Sequence, residues 1–255
     1  MCSAIVCYAL YLCFMEKQTV LITGANKGIG LETARQLAQA GYHIFLGCRD
    51  KQRGDEAVSL LHNEGLTDVD LILIDVVNEQ SVQQAHDEMA KRIDHLDVLI
   101  NNAGILGDYA QPATNTSVDI FRDVFEVNLF GVARVVRIFV PLMQNAPNPR
   151  IVNVTSDLGS LTLHSDPTWK HYEVKTAAYG PSKSALNNYT IALAYELKDK
   201  FRVNAVNPGY TKTDFNSNQG YKTVEEGAAP ITKYAMIGKD GPTGGFFSDY
   251  GVSPW

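Results

Sequence analysis

The sequence predicts an α/β protein, a doubly wound parallel sheet in a single domain, and three observations predict it. Short β-branched runs alternate with longer amphipathic stretches along nearly the whole chain. Several of these runs are apolar without polar alternation, as parallel strands covered on both faces require. A glycine-rich turn, TGANKGIG at 23–30, joins the first run to the first amphipathic stretch. Strand–helix–strand units close with right-handed crossovers, which places a ligand crevice beyond the carboxyl ends of the strands.

In chain order, the expected strands are TVLIT (19–23), HIFLG (43–47), DLILID (70–75), DVLIN (97–101), RIVNVT (150–155) and RVNAVN (202–207). Helices are expected near 29–40, 51–63, 79–93, 118–145 and 179–198. No repeat, linker or low-complexity run divides them. The 255 residues, 45% hydrophobic and 20% charged, suffice for one core without disulfides.

The first fourteen residues, MCSAIVCYALYLCF, are apolar and uncharged. A membrane span needs roughly 20 residues, and the basic start and small-residue cleavage site of a signal peptide are missing. Met15 opens MEKQTVLITG. Residues 15–255 are therefore expected to form the domain and 1–14 a dispensable extension, with a strand-like appendage or weak membrane contact as the alternative. A net charge of −6 argues against nucleic acid or an anionic membrane as the main partner. Cys2, Cys7, Cys13 and Cys48 form no CxxC pair and the histidines are scattered, so no metal is expected and a reducing, cytoplasmic compartment is. Sequons at Asn115, Asn153 and Asn188 are read as chance matches.

The conspicuous short motifs all follow strands: Gly24, then Cys48-Arg49-Asp50, Asp75-Val76, Asn102-Ala103-Gly104, Ser156, and Pro208-Gly209. They should line one edge of the sheet. In the first turn Gly24, Gly28 and Gly30 let backbone N–H groups at a helix N-terminus face a pyrophosphate, with Asn26, Lys27 and Ile29 between them. The spacing is not that of a Walker loop, since no GK[ST] follows.

The end of the second strand chooses the nucleotide. An acid there usually binds the ribose 2′-OH, whereas an arginine accommodates a 2′-phosphate. Arg49, with Lys27 from the adjacent turn, favours NADP(H) over NAD(H). The plainer reading makes Arg49 and Asp50 solvated charges at a helix start. Asp75 can accept from the adenine amino group or cap the next helix.

YGPSK (179–183) holds the only Tyr-x-x-x-Lys of the chain. That spacing puts Tyr179 and Lys183 on one helix face, and Pro181 is acceptable in a first turn. A neighbouring ammonium is expected to lower the phenol pKa from its usual value of about 10. Ser156 can hold a substrate oxygen beside the phenol or simply cap a turn. Asn128 interrupts a helical pattern, where it can hold water near Lys183 or make an ordinary core hydrogen bond.

Together these motifs resemble the short-chain dehydrogenase/reductase family over about residues 18–255. The residues that carry the resemblance are TGANKGIG, NNAG (101–104), Asn128, Ser156, YGPSK and NPGYTKT (207–213). Asn-Lys in the glycine turn, Cys-Arg-Asp after the second strand and the ending GGFFSDYGVSPW are similar to the NADPH-dependent carbonyl reductase branch. The resemblance implies a Rossmann-type fold and a catalytic set of Asn128, Ser156, Tyr179 and Lys183. It implies that Tyr179 is the proton donor, that Lys183 also holds the nicotinamide ribose, and that Asn128 supports a proton-supplying water path. Asn102, Ala103 and Gly104 would run along the cofactor, with Pro208, Gly209, Thr211 and Thr213 at its carboxamide and pyrophosphate end.

Ser156 and Tyr179 stand 23 positions apart, wider than in much of the family. The extra stretch, 161–177, must loop over the crevice, yet it is short beside the insertion of monomeric carbonyl reductases. A homodimer or homotetramer is therefore expected. His164, Trp169, His171 and Tyr172, with Tyr210, Phe215 and Tyr221, are expected to wall an aromatic pocket for an uncharged ketone or aldehyde. Two other readings stand beside reduction with NADPH: an NAD-linked alcohol dehydrogenase, and a non-catalytic NADP(H)-binding sensor or partner module.

Overall fold

The parallel sheet forms from strands β1 (Thr19–Ile22), β2 (His43–Cys48), β3 (Val69–Leu73), β4 (Val98–Asn101), β5 (Arg150–Val154), β6 (Arg202–Val206) and β7 (Phe246–Ser248). The computed structural model describes residues 17–255, so the expected extension 1–14 and Cys2, Cys7 and Cys13 lie outside the described residues. A short β8 (Gly251–Val252) closes the far edge antiparallel to β7. The sheet order is β3-β2-β1-β4-β5-β6-β7-β8. Chain order reverses between β1 and β4, and there the connections leave to opposite faces and open a crevice.

Alternation along the strands builds two cores. Leu21, Phe45, Leu99, Ile151 and Val203 face one side, with side chains from α3 (Glu79–Met89), α5 (Val132–Met143) and α7 (Tyr179–Leu197). Val20, Ile22, Ile44, Leu46, Val98 and Val152 face the other. They meet α1 (Gly28–Gln39), α2 (Lys51–Asn63) and α8 (Val224–Ala235). Burial on both faces explains why these strands read as unbroken apolar runs.

The structure departs from the expected elements in three places. The helical run at 118–145 is α4 (Val118–Phe125), a π-helical turn over Glu126–Gly131, and α5. Asn128 lies in the widened turn, where its side chain pairs with a main-chain segment across the crevice. The β7–β8 hairpin is too short for a pattern of alternation to show. The third departure, α8, does carry a start signal: Thr223 accepts from the Glu226 N–H while the Glu226 carboxylate accepts from the Thr223 N–H. Between α5 and α7 the 161–177 stretch forms one short helix, α6 (Leu161–His164), and loop.

Among the described residues no helix is long and apolar enough to cross a membrane. Asn153 is fully buried on β5, so its sequon cannot be reached in the folded chain. Phe139 is fully buried between α5 and the sheet. Phe139→Ala is expected to lower unfolding stability by about 3–5 kcal/mol, read from urea denaturation, because the cavity cannot collapse fully.

Candidate active site

The end of β1 and the end of β4 are tied together. The Asn102 side-chain amide donates to the Thr23 carbonyl at 2.9 Å and to the Gly24 carbonyl at 3.1 Å. The Thr23 hydroxyl accepts from the N–H groups of Asn102 and Ala103 at 3.0 and 3.1 Å. Asn102 therefore turns its side chain toward the glycine turn, leaving the Ala103-Gly104 main chain along the crevice.

The closeness of that contact dictates the glycines. A Cβ on Gly30 would lie 2.5 Å from Asn102 Nδ2, and one on Gly24 would lie 3.0 Å from Ala103 Cα. Gly24 also needs φ +63°. Lys27 stands at the N-cap of α1 with no side-chain cap among the described residues, which leaves the first helical N–H groups for an anion. Asn26 and Ile29 are half-buried within the turn. This cradle fits a pyrophosphate.

Around it, Lys27 Nζ meets the Asp214 carboxylate at 3.1 Å, both groups being exposed. The Thr213 methyl lies against Gly28, so the segment after β6 closes on the turn. Thr211 is buried, and its hydroxyl packs against Gly227 of α8 rather than opening to the crevice. Pro208 and Gly209 lie under the aliphatic stem of Lys222, whose Nζ pairs with Asp249 at 2.8 Å.

At the end of β2, Asp50 caps α2 by accepting from the Arg53 N–H at 3.1 Å. Arg49 is exposed, and among the described residues it has no carboxylate partner. Asn78, not Asp75, caps α3. The Asp75 carboxylate accepts only a long 3.3 Å contact from Val77 N–H, and Val76 packs against Gly131 of the π-helical turn.

Deeper in the crevice, Lys183 is buried and donates to the Val154 carbonyl at 2.9 Å. Its Nζ and Asn128 Oδ1 both border Gly104, where a Cβ would lie 3.6 and 3.3 Å from them. Asn128 pairs with Ile105 in both directions, accepting from its N–H at 2.9 Å and donating to its carbonyl at 3.0 Å. The second amide hydrogen of Asn128 goes to Ser182 Oγ at 3.1 Å. Tyr179 is buried at the start of α7 with the Ser156 hydroxyl beside it, and Phe215 meets the phenol edge-on at 5.7 Å. The structure thus brings Asn128, Ser156, Tyr179 and Lys183 to one place, joined to the glycine turn through the Asn102–Gly104 segment.

The short chain dehydrogenase family model matches residues 18–223. The chain belongs to the short-chain dehydrogenase/reductase family. It is 38% identical over 231 residues to the short-chain dehydrogenase anuI of Penicillium roqueforti, covering 88% of this chain and 90% of that one. Its fold is similar to salutaridine reductase from Papaver somniferum, with a TM-score of 0.81 at 30% identity, covering 91% and 100% of the two chains. It is also similar to an NADPH-bound carbonyl reductase from chicken fatty liver, with a TM-score of 0.82 at 25% identity, covering 94% and 100%. The chain is accordingly an oxidoreductase of a family that uses nicotinamide cofactors.

In this family member burial sets the electrostatics. Desolvation pushes the Tyr179 phenol up to about 12, opposed by the Ser156 hydroxyl. Desolvation also pulls Lys183 down to about 8. The expected lowering of the phenol by its lysine is not what the geometry produces. Nζ stands 5.8 Å from the ring centroid and gives one of its hydrogens to the Val154 carbonyl, and burial outweighs its pull on the phenol.

Over the crevice, Trp169 touches His164 and His171, and His171 stacks on Tyr221 with Tyr210 beside both. Tyr172 stays apart, under the Lys175 ammonium. Sequence reasoning missed Ser182, Gln111 and Lys222. Ser182 sat unweighed within YGPSK, while Gln111 and Lys222 carry no local signal.

The lysine shift has a consequence for stability. Below about pH 8 Lys183 is charged in both states and the cost of burying it is fully present. As pH rises from there toward 10.5, the unfolded chain holds the proton longer than the folded one, so stability rises with pH. Wild type is therefore expected to gain on Lys183→Met over that window, measured as the difference in urea midpoints at each pH.

Proposed function

We propose that this chain reduces uncharged ketones or aldehydes to alcohols with NADPH, the proton coming from Tyr179. The observation that carries the reading is geometric: a buried phenol stands next to Ser156 and Lys183, with Asn128 and Lys183 meeting at Gly104, on the strand-end edge that also carries the glycine turn. When bound, the cofactor supplies hydride to the carbonyl carbon. Tyr179 gives its proton to the carbonyl oxygen as charge develops there. Ser156 donates a hydrogen bond to the same oxygen, aimed in advance at the developing charge. Carbonyl, hydride and proton together make the neutral alcohol.

Lys183 has hydrogens beyond the one held by Val154, and these would be available to the phenolate left behind and to a ribose hydroxyl of the bound cofactor. Its ammonium still predominates at pH 7. Both amide hydrogens of Asn128 are spent on Ile105 and Ser182. A water on the path to Lys183 is then held by the second lone pair of Asn128 Oδ1 or by main-chain carbonyls. A nucleotide sensor has no use for the Tyr179 acid.

Preference for NADPH rests on Asp50 being occupied as a helix cap, with Arg49 and Lys27 left exposed to meet a 2′-phosphate. The ring cluster of Trp169, His171, Tyr210 and Tyr221, with Phe215 against Tyr179, suits an apolar cyclic or aromatic group on the substrate. A cytoplasmic setting belongs to the same reading. So does a homodimer or homotetramer, supported by the exposed Ile191 and Tyr195 on α7.

Steady-state oxidation of NADPH and NADH against aromatic and alicyclic ketones tests the proposal. Tyr179→Phe is expected to lower kcat by on the order of 100-fold or more, and near-wild-type turnover would reject the proton-donor role. Lys27→Ala with Arg49→Asp is expected to weaken NADPH binding by on the order of 100-fold, the loss of two charge-assisted contacts, while NADH changes by only a few-fold. Equal weakening of both nucleotides would reject the cofactor assignment.

A further inference from the structure

Gln111 lies on the loop after β4 and is only 3% exposed, and every polar atom of its side chain is used. Its Oε1 accepts from the N–H groups of Ala178 and Tyr179 at 2.9 and 3.0 Å. Its Nε2 donates to the carbonyls of Leu106 and Asp108 at 2.7 and 2.6 Å. Its own carbonyl accepts from Ala177 N–H at 3.0 Å. The residue at the N-cap of α7, Ala178, has no side chain able to cap, so the helix start that bears Tyr179 takes its cap from this distant glutamine.

The other end of the same loop is held by Asn128, through both main-chain groups of Ile105. Asn128 also reaches Ser182 Oγ, and that hydroxyl donates to the Tyr179 carbonyl at 2.7 Å. The contacts close a ring running Asn128, Ile105-Leu106, Gln111, Tyr179, Ser182 and back to Asn128. Truncating Gln111 leaves the first turn of α7 tied to the loop only through the Asn128–Ser182 arm and the Ala177–Gln111 main-chain bond, and leaves four main-chain groups without partners.

We infer that Gln111 is a positioning residue of the reaction, clamping the Tyr179 end of α7 to the Ile105–Asp108 loop so that the phenol keeps its place relative to Asn128 and Lys183. The inference rests on the proton-donor role proposed for Tyr179. Glutamine suits the place because it accepts toward two N–H groups and donates toward two carbonyls. A carboxylate would set a charged oxygen against Leu106 and Asp108, whereas a protonated glutamic acid restores one donor and the acceptor. Burial and the two facing carbonyls favour the protonated form and raise the pKa of a glutamate placed there, against the two N–H groups of the helix start, which favour the carboxylate.

The test compares Gln111→Ala, Gln111→Glu and Tyr179→Phe by ketone turnover, NADPH binding by fluorescence titration, and urea denaturation. Gln111→Ala is expected to lower kcat by about 10- to 100-fold, as a misplaced acid does, with NADPH Kd within about twofold. The ratio of Gln111→Glu to wild-type kcat is expected to stand near one at about pH 6 and to fall toward the alanine level by about pH 8.5. That titration would not follow from a role in folding alone. A Gln111→Ala kcat within twofold of wild type, a parallel loss of NADPH binding, or a glutamate ratio flat with pH would each overturn the inference. If Gln111→Ala does not fold, the glutamate series decides. Full activity in Tyr179→Phe would sink the proposed function itself, whereas an inactive Tyr179→Phe beside a fully active Gln111→Ala rejects only the positioning role.

Discussion

The side-chain amide of Asn102 spans the one place in the sheet where chain order reverses, and much of the crevice follows from that span. Strands β1 and β4 pair in parallel although two complete strand–helix units separate them in sequence. Parallel pairing leaves the ends of both strands on the same edge, and Asn102 joins them through the carbonyls of Thr23 and Gly24. Such an approach leaves no room for a Cβ on Gly30 and little for one on Gly24. The direction of α1, the exposure of its first N–H groups and the course of Ala103-Gly104 all depend on this contact.

A second polar thread carries the same order sideways. Asn101 of β4 donates to Asn153 of β5, which donates to Thr190 of α7, all within the apolar body of the sheet. Helix α7 is thus held to the strands along its length, and the ring through Gln111 and Ser182 holds its first turn. The price of this rigidity is electrostatic. A phenol and an ammonium are buried together without a direct hydrogen bond between them, and desolvation drives one pKa up and the other down. Both shifts favour the neutral form of each group. For Tyr179 that form is the acid that a carbonyl reduction consumes.

The six core strands were legible because parallel strands buried on both faces leave unbroken apolar runs. The placement of Gly24, Arg49, Asp75, Gly104, Ser156 and Gly209 at one edge followed from that pattern and strand direction. Less was legible where a side chain serves a distant backbone. The Asn102 side chain holds the glycine turn and the Thr211 side chain packs on Gly227, structural ties that their motifs alone did not reveal. Helix α8 was readable from its Thr223–Glu226 capping box. The three residues of β7 were too few to show a period.

Local sequence was enough to establish the order of strands and helices, the glycine turn, and the presence of Tyr179 and Lys183 on one helix face. Those features depend on backbone conformation, period and sterics, which act between near neighbours. Packing in three dimensions decided the rest. It made Asp50 a cap and left Arg49 exposed, spent the amide of Asn128 on Ile105, and set Gln111 against a helix start 67 residues away. Burial also outweighed the expected lowering of the phenol by its lysine. Desolvation depends on everything that surrounds a group, and the i, i+4 spacing that brings Lys183 near Tyr179 does not reveal how deeply both are buried.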